Sequence, residues 1–219
     1  MLYIFKNNLL WTYGMPIVVV IAAVAIFGLL FFKPLAYVAL GFFLFSLYFF
    51  RNPVRLCKEA IDNPAVLICP ADGKVVDILY DKNKGLDGYA QRVSIFLSAF
   101  DVHVNWAPIS GTVKEVKYKK GAFKLAFLPK SSELNERNDL LLLGQNGKTI
   151  KVRQIAGLVA RRICCWVRQG EHIRSGDKYG MIRFGSRVDI FLPEDVKLDV
   201  GVGQRVYGGQ TVLGRWSWD

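Results

Sequence analysis

The sequence predicts a mainly β (α+β) fold: a short-stranded, barrel-sandwich-like domain preceded by an N-terminal hydrophobic helical hairpin. Residues 15–50 are almost entirely apolar and carry a single charge, on Lys33. From residue 66 onward, short segments rich in β-branched and aromatic residues alternate with glycine-containing turns. The first pattern is typical of membrane helices and the second of antiparallel sheets, so the two parts of the chain are expected to fold differently.

The composition limits the chain to one substantial domain plus a membrane segment. It has 219 residues, 52% of them hydrophobic, and single domains commonly span about 100–200 residues. The formal net charge is +11, and residues 51–219 carry 27 basic and 18 acidic side chains. A basic domain beside a membrane segment favours anionic membrane lipid as a partner. No recognisable nucleic-acid-binding motif accompanies the charge, so no nucleic-acid partner is expected.

The apolar N-terminal region is long enough for two helices. Met15–Phe32 would extend about 27 Å as a helix, and Leu35–Phe50 is slightly shorter. Lys33 and Pro34 form a natural break between them, which favours a helical hairpin over one continuous helix. Two short spans or a re-entrant pair also fit this pattern.

Basic residues flank the apolar region on both sides. Lys6 precedes it, and Arg51, Arg55 and Lys58 follow it. Because basic residues concentrate in cytoplasmic segments, both ends are expected in the cytoplasm, with the following domain at the cytoplasmic face of the cell membrane. The chain is therefore divided into a membrane-associated hairpin with its exit segment, residues 1–60, and a second domain, residues 61–219.

The second domain is expected to consist mainly of short strands. Ser131–Asp139 alone has the polar composition of an extended loop or short helix. Two segments of short, glycine-separated strands, 108–116 and 202–214, are similar to pieces of the barrel-sandwich folds of lipoyl and biotinyl domains. The predicted strands are Val75–Leu79, Arg92–Leu97, Gly111–Tyr118, Asp139–Leu143, Thr149–Ala156, Ile163–Val167, Ile182–Leu192 and Gln204–Leu213.

The four cysteines do not have the spacing of a metal site. Cys57 and Cys69 are isolated, and no histidine lies at metal-ligand spacing from any of the four. Cys164 and Cys165 are adjacent and would point to opposite faces of a strand, which favours reduced thiols over a disulfide framework. No metal is therefore assigned.

One predicted strand, Ile182–Leu192, contains an unusual Gly-Ser pair. At period two it has an apolar face and a polar face, which predicts a half-buried strand with Arg187 and Asp189 on the exposed side. Ser186 is the one polar residue on the apolar face. It is either a small hydroxyl at a β-bulge or a nucleophile beside Gly185, whose carbonyl no side chain would shield.

Two other polar residues could act with that serine. Asp72 lies on a Pro-Ala-Asp-Gly turn just before a strand, where it could also be a simple turn former. His103, in Phe-Asp-Val-His-Val-Asn, could be a buried structural histidine or a base. The only other histidine, His172, has polar neighbours and is expected to be exposed. An Asp, a His and a Ser from separate strand ends are compatible with a carboxylate that orients an imidazole, which in turn activates a hydroxyl.

These motifs together resemble phosphatidylserine decarboxylase in its short bacterial form. The Pro-Ala-Asp-Gly turn at Asp72, the Phe-Asp-Val-His-Val-Asn-x-x-Pro stretch around His103, the Phe-Gly-Ser strand and the hydrophobic N-terminus occur in the family's order, over essentially the whole chain. The resemblance implies a proenzyme that cuts itself between Gly185 and Ser186. It would yield a β chain of residues 1–185 and an α chain of residues 186–219, and a homodimer is one assembly that it allows.

The resemblance also implies the cofactor and the reaction. Ser186 Oγ would attack the Gly185 carbonyl to give an ester, and β-elimination followed by hydrolysis would leave a covalent pyruvoyl group and ammonia. That group would form a Schiff base with phosphatidylserine, accept the electrons released with CO₂, and yield phosphatidylethanolamine. His103, Asp72 and Ser186 are the implied catalytic residues, and no Schiff-base lysine is needed.

Two positions depart from the family pattern. Many members carry Leu-Gly-Ser-Thr or Leu-Gly-Ser-Ser at the cut, whereas Arg187 stands here in place of the small hydroxyl residue. Longer members have a second histidine three residues after the first, and Trp106 occupies that place here. His103 could therefore serve in self-cleavage, in decarboxylation or in both.

Two other function classes fit parts of the pattern. A non-enzymatic membrane-anchored adaptor with a barrel-sandwich domain would explain the glycine- and valine-rich segments, but it predicts a long helical hairpin with heptads, which the sequence lacks. A membrane-bound serine peptidase would use Ser186 without destroying it. An intact chain with proteolytic activity would distinguish the peptidase from the self-cleaving enzyme.

Overall fold

The computed structural model describes residues 9–83, 85–121, 135–157, 163–183 and 186–217. The chain divides into two compact units, Met1–Pro53 and Val54–Asp219. The boundary proposed from sequence, after residue 60, falls inside the second unit at a short helix. Of the predicted loop Ser131–Asp139, residues 131–134 lie outside the described part of the chain.

The first unit is a helical hairpin, as the sequence predicts. A π-helical turn, Leu10–Gly14, leads into helix α1, Met15–Phe31, and helix α2 spans Lys33–Phe49. The break falls at Phe32, whose extended backbone interrupts the helix, and Pro34 occupies the first turn of α2 where no amide hydrogen bond is lost. Gly28 allows the close approach of α2, since a Cβ there would lie 2.6 Å from the backbone nitrogen of Ala36.

The two helices differ in their capacity to cross a membrane. Among the described residues, Thr12–Phe31 is the one helical segment long and apolar enough to span a bilayer, with a mean hydropathy of 2.7. Lys33–Phe49 is apolar but shorter. The prediction of an apolar N-terminal helix is therefore confirmed.

The second unit is built from one short helix and fourteen described strands. Helix α3, Lys58–Asp62, packs Ala60 against Val66 and Ile68. The strands are β1 Val66–Ile68, β2 Gly73–Tyr80, β3 Gln91–Leu97, β4 Val104–Trp106, β5 Gly111–Lys119, β6 Arg137–Gly144, β7 Thr149–Ala156, β8 Ile163–Cys165, β9 His172–Ile173, β10 Lys178–Ile182, β11 Ser186–Leu192, β12 Val196–Leu198, β13 Arg205–Val206 and β14 Val212–Trp216. A mainly β fold is therefore confirmed.

The strands form three antiparallel sheets. The largest has the order β13-β2-β3-β11-β7-β6-β5-β9, and two smaller sheets have the orders β4-β10-β8 and β1-β14-β12. Strand β11 lies within the large sheet, paired along its length with β3 on one side and β7 on the other. All seven residues of β11 are buried, and Val188, Ile190 and Leu192 belong to the main hydrophobic core.

The prediction of one continuous strand over Ile182–Leu192 is wrong. Strand β10 ends at Ile182 in one sheet, and β11 begins at Ser186 in another. Alternation of apolar and polar residues continues across the junction, so periodicity alone gives no sign that the chain changes sheets there. The predicted strand Gln204–Leu213 is wrong for the same reason, because β13 and β14 belong to different sheets.

Candidate active site

Ser186 is the first residue of β11 and is completely buried. It pairs with Leu97 of β3 and with Ala156 of β7, so the strands on both sides define its backbone position. Its Oγ has no hydrogen-bond partner within the described part of the chain. A buried hydroxyl normally finds a partner, because leaving one unsatisfied has a free-energy cost. Ser186 is therefore a buried hydroxyl whose desolvation no described hydrogen bond offsets. Gly185, the other half of the predicted cleavage site, lies outside the described residues.

His103 immediately precedes β4 and is buried beside the strand that leads to Ser186. The backbone carbonyl of His103 accepts a hydrogen bond from the amide of Ile182, at 3.1 Å, and Ile182 is four residues before the serine. The His103 Nδ1 atom lies 2.9 Å from the carbonyl oxygen of Asp101. Since a carbonyl can only accept, Nδ1 must carry the proton in this contact, and in the neutral ring Nε2 then carries the lone pair.

Asp101, whose function the sequence did not indicate, stabilises the turn before His103. Its carboxylate accepts hydrogen bonds from the backbone amide and the hydroxyl of Ser98, at 2.7 and 2.8 Å. The same carboxylate forms an ion pair with Arg205. Because β3 ends at Leu97, the strand partner of Ser186, this turn connects the serine's neighbour to the histidine's anchor.

Asp72 is buried and bound to Arg55, a residue that the sequence placed only among the basic flanks of the membrane segment. The guanidinium contacts both carboxylate oxygens, with Nη2 2.9 Å from Oδ2. The Gly208 amide also donates to Asp72, at 2.9 Å, and the Gly208 carbonyl accepts from Arg55. The Arg55 guanidinium lies 4.9 Å from the centre of the Trp106 ring. Asp72 thus connects Arg55, in the exit segment, to Gly208, in the loop between β13 and β14. We call this loop the 208 loop.

The three predicted site residues therefore have different surroundings. A backbone hydrogen bond from Trp106 to Pro70, at 2.9 Å, brings the Asp72 turn next to the strand that follows His103. His103 and Ser186 are connected through β10 and through the Ser98–Asp101 turn. The direct action of Asp72 on His103 stays a prediction, whereas the partners that the structure gives Asp72 are Arg55 and Gly208. His172 is exposed, as predicted.

A chain of buried amides lies between β4 and the large sheet. Asn138 donates to the Gln154 side-chain oxygen at 3.0 Å, and the Gln154 nitrogen donates to the Asn105 side-chain oxygen at 2.8 Å. All three residues are at most 2% exposed. Gly180 leaves room for this amide, because a Cβ there would lie 2.8 Å from the Gln154 nitrogen. The network connects β4, the strand that follows His103, to the large sheet that contains Ser186.

Comparisons with known proteins show the family to which this chain is similar. Residues 42–214 match the family model described as phosphatidylserine decarboxylase. A phosphatidylserine decarboxylase proenzyme of Syntrophus aciditrophicus is 41% identical over 204 residues, covering 92% of this chain and 94% of the relative. One from Desulfotalea psychrophila is 46% identical over 172 residues, covering 78% and 79% of the two chains.

The chain belongs to the phosphatidylserine decarboxylase family. The resemblance inferred from its motifs is therefore confirmed. A third relative, the proenzyme of Beijerinckia indica, is 44% identical over 185 residues and covers 83% of this chain.

A pyruvoyl group at position 186 of this phosphatidylserine decarboxylase family member is compatible with the residues around it. The Ser186 Oγ that would be consumed has no hydrogen-bond partner among the described residues, so its loss breaks no described contact. The free Cys69 thiol is no competing nucleophile, because burial, followed by the nearby Asp72 charge, raises its pKa far above the usual range.

The departure from the family pattern at Arg187 has a structural explanation. Arg187 and Asp189 were expected on an exposed face, but they are 2% and 0% exposed, and that expectation is wrong. Arg187 donates to both carboxylate oxygens of Asp189, at 2.6 and 3.1 Å, and to the Ser94 hydroxyl at 2.8 Å. The arginine charge next to Ser186 is thus neutralised within its own strand.

Proposed function

We propose that this chain converts phosphatidylserine to phosphatidylethanolamine and CO₂ at the cytoplasmic face of the membrane, with a pyruvoyl group made from Ser186. The observation that supports this most directly is the completely buried Ser186 Oγ with no described hydrogen-bond partner, at the start of the enclosed strand β11. Membership of the decarboxylase family supplies the reaction class. The basic charge of residues 51–219 and the apolar helix Thr12–Phe31 support an anionic lipid substrate in a bilayer.

Self-cleavage begins with attack by Ser186 Oγ on the carbonyl carbon of residue 185. His103 is the base: because its Nδ1 donates to the Asp101 carbonyl, Nε2 can accept the serine proton. Collapse of the adduct breaks the amide and moves the acyl group to oxygen. β-Elimination then releases the carboxylate end of residue 185 and leaves dehydroalanine. Tautomerisation to the imine and hydrolysis with one water give a keto group and ammonia.

In this proposal Asp72 is a positioning residue. Its ion pair with Arg55 and its hydrogen bond from Gly208 hold the 70–73 turn and the 208 loop against the Trp106 ring. Trp106 is three residues after His103. These contacts therefore limit the movement of strand β4, which directly follows the base. Direct orientation of His103 by Asp72 is the alternative that the sequence favours.

Once formed, a pyruvoyl group supplies a carbonyl that condenses with the substrate amine and accepts the electron pair that remains when CO₂ leaves. His103 would then return a proton to the product carbon. The enclosure of β11 between β3 and β7 keeps bulk water from position 186, which strengthens every electrostatic interaction there.

The two chains would remain associated without a covalent link. The α chain, residues 186–219, would contribute β11 between β3 and β7, β13 beside β2, and β14 beside β1. Its residues are therefore paired with the β chain in two sheets and share its core. We expect the cut protein to purify as one complex.

The test is the intact mass of the purified full chain. The wild type should give two chains, with the smaller starting at position 186 and carrying the mass of a pyruvoyl end group. A Ser186→Ala variant should stay at 24.7 kDa, while Ser217→Ala, which changes an exposed serine, should be cut normally. A folded wild type that remains one chain would overturn the proposal, and proteolytic activity of that intact chain would favour a serine peptidase.

A further inference from the structure

The second unit has a cluster of exposed aromatic and basic side chains at the end of the large sheet where Ser186 lies. We call it the aromatic rim and define it as Phe100, Tyr207, Val202, Arg205 and Lys74. Phe100 is 66% exposed, Val202 64% and Tyr207 47%. Arg205 and Lys74 are also exposed. Large apolar side chains grouped on a surface commonly mark a binding site.

The members of the rim are connected through described contacts. Arg205 is the strand partner of Lys74 and lies 5.9 Å from the centre of the Tyr207 ring. The same arginine forms an ion pair with Asp101, the residue that follows Phe100. Val202 precedes Gly203, where a Cβ would lie 4.0 Å from the Lys74 side chain. The rim is therefore one surface formed by two loops and the start of β2.

The rim borders the groups that hold the candidate base. The Ser98–Asp101 turn carries Phe100 outward, while the Asp101 carbonyl accepts from His103 on the inside. The turn begins directly after Leu97, the partner of Ser186. Tyr207 similarly precedes Gly208, which binds Asp72. A molecule that contacts the rim would therefore lie beside the three predicted site residues.

We propose that the aromatic rim is a bilayer-contact surface, and that its partner is anionic lipid rather than protein. Aromatic rings are favoured at the headgroup level of membranes, where one part of the side chain contacts hydrocarbon and the rest contacts water. The exposed Arg205 and Lys74 complement the phosphate and carboxylate charges of anionic lipids. The only rim charge with a described acidic partner is Arg205, and that partner, Asp101, is buried.

This proposal goes beyond the N-terminal helices, because it assigns membrane contact to the second unit itself. It rests on the proposed function only in that the bilayer would hold the substrate. Docking would place the Ser98–Asp101 turn at the lipid surface, so that a lipid headgroup would lie close to the turn that precedes His103.

A local measurement is needed, because the apolar helices would keep the full chain in any bilayer. We would compare hydrogen exchange of the full-length protein in nanodiscs with anionic lipid, in zwitterionic nanodiscs and in detergent micelles. Peptides covering 98–102 and 201–207 should exchange roughly tenfold more slowly in anionic nanodiscs than in micelles, given two basic groups near a negative surface.

The variant is Phe100→Ser/Tyr207→Ser, which should lose that protection. Its matched control is Tyr80→Ser/Tyr118→Ser, because Tyr80 and Tyr118 are 68% and 51% exposed and lie outside the rim. The control should keep the protection. Both double variants should still cut themselves, which shows that they fold.

Three outcomes would overturn the rim proposal. The first is equal exchange of the two peptides in anionic nanodiscs and in micelles. The second is protection that remains in the rim variant. The third is protection that rises with protein concentration in micelles, which would indicate contact with a second copy of the chain. Failure of the proposed function gives a different result: an uncut or inactive wild type that still shows lipid-dependent protection. With active protein, the rim variant should raise KM for bilayer phosphatidylserine several-fold without changing that for a short-chain soluble analogue.

Discussion

Arg187 and Asp189 form a two-bond ion pair within one strand, with Nε–Oδ1 and Nη2–Oδ2 distances of 2.6 and 3.1 Å. Both side chains are at most 3% exposed. They belong to β11, one and three residues after Ser186, so the pair is part of the strand that positions the proposed nucleophile. A buried pair of this kind depends on both members, because either charge alone would be left in a poorly solvated place.

We therefore predict strong coupling between these two positions. Arg187→Met or Asp189→Asn alone should lower the free energy of unfolding by about 3–5 kcal/mol, and the double variant should cost clearly less than the sum. Denaturant unfolding of the full chain in detergent, arranged as a double-mutant cycle, measures this. If the losses in the free energy of unfolding simply add, the interaction between the two side chains contributes little to stability.

The Arg55–Asp72 ion pair leads to a kinetic prediction. If Asp72 acts by holding the 70–73 turn and the 208 loop, Asp72→Asn and Arg55→Gln should slow self-cleavage by similar factors, roughly tenfold. The pH profile of cleavage should stay unchanged, since these substitutions leave the proposed base, His103, in place. The rate is read from intact mass after synthesis in a cell-free system.

The alternative for Asp72 gives an opposite pattern. A far larger loss for Asp72→Asn than for Arg55→Gln, with a shifted pH profile, would show that Asp72 acts on His103 directly. Asp77→Asn is the control, because Asp77 of β2 also pairs with an arginine, Arg92 of β3, but is more exposed than Asp72. It should be cut at the wild-type rate.

Gln154 is predicted to matter for stability because it is the middle member of the buried amide chain. Gln154→Leu would leave the Asn105 oxygen and the Asn138 nitrogen each without this partner. The free energy of unfolding should fall by about 2–4 kcal/mol, since each buried unsatisfied group costs about 1–3 kcal/mol. Gln145→Leu, at an exposed position, should be nearly neutral, and an equal effect of the two would contradict the prediction.

Asp87 should make a pH-dependent contribution to stability. Burial alone would raise the pKa of Asp87, but hydrogen bonds and charges from Lys151 and Arg153 outweigh it and hold that pKa below the ordinary 3.8. A lowered folded-state pKa stabilises the protein above the unfolded value, and the gain is lost as the pH falls through the folded value. Asp87→Asn should therefore cost about 0.5–1 kcal/mol near neutral pH, a small amount because the carboxylate is half exposed.

The measurement for Asp87 is thermal unfolding of variant and wild type across acidic pH. The difference should narrow as the pH falls below 3.8. Asn tolerates the positive φ of 54° at this position, so the substitution changes charge without backbone strain. Asp62→Asn, on the exposed side of α3, is the control. A difference in thermal stability between Asp87→Asn and the wild type that stays constant with pH would exclude the Asp87 charge as the cause.

Local patterns predicted the parts of the fold that depend on local chemistry. Thr149–Ala156 is a strand with the predicted bounds because it lies between Gly147 and Gly157, and glycines mark turns. The break near Lys33 was visible because a charge and a proline interrupt an apolar run. Strand β11 was misjudged because period two describes side-chain direction and carries no information about what covers the second face.

The candidate site was predicted only in part for a related reason. Ser186, His103 and Asp72 lie in short motifs, whereas Arg55 and Asp101 act through partners 17 and 104 positions away. Nothing in the sequence around Arg55 distinguishes it from Arg51 or Lys58. An arginine that binds a distant carboxylate becomes recognisable only when the fold brings the two together.

The complete burial of Ser186 sets a condition on any chain end formed there. Chain termini usually lie at the surface, because a free α-amino group is positively charged and strongly hydrated. At position 186 such an ammonium would lie between β3 and β7, and no carboxylate is bonded to Ser186 in the described part of the chain. A keto group has no charge to bury. An uncharged end group is therefore the kind of terminus that this site can enclose without losing the packing of its central strand.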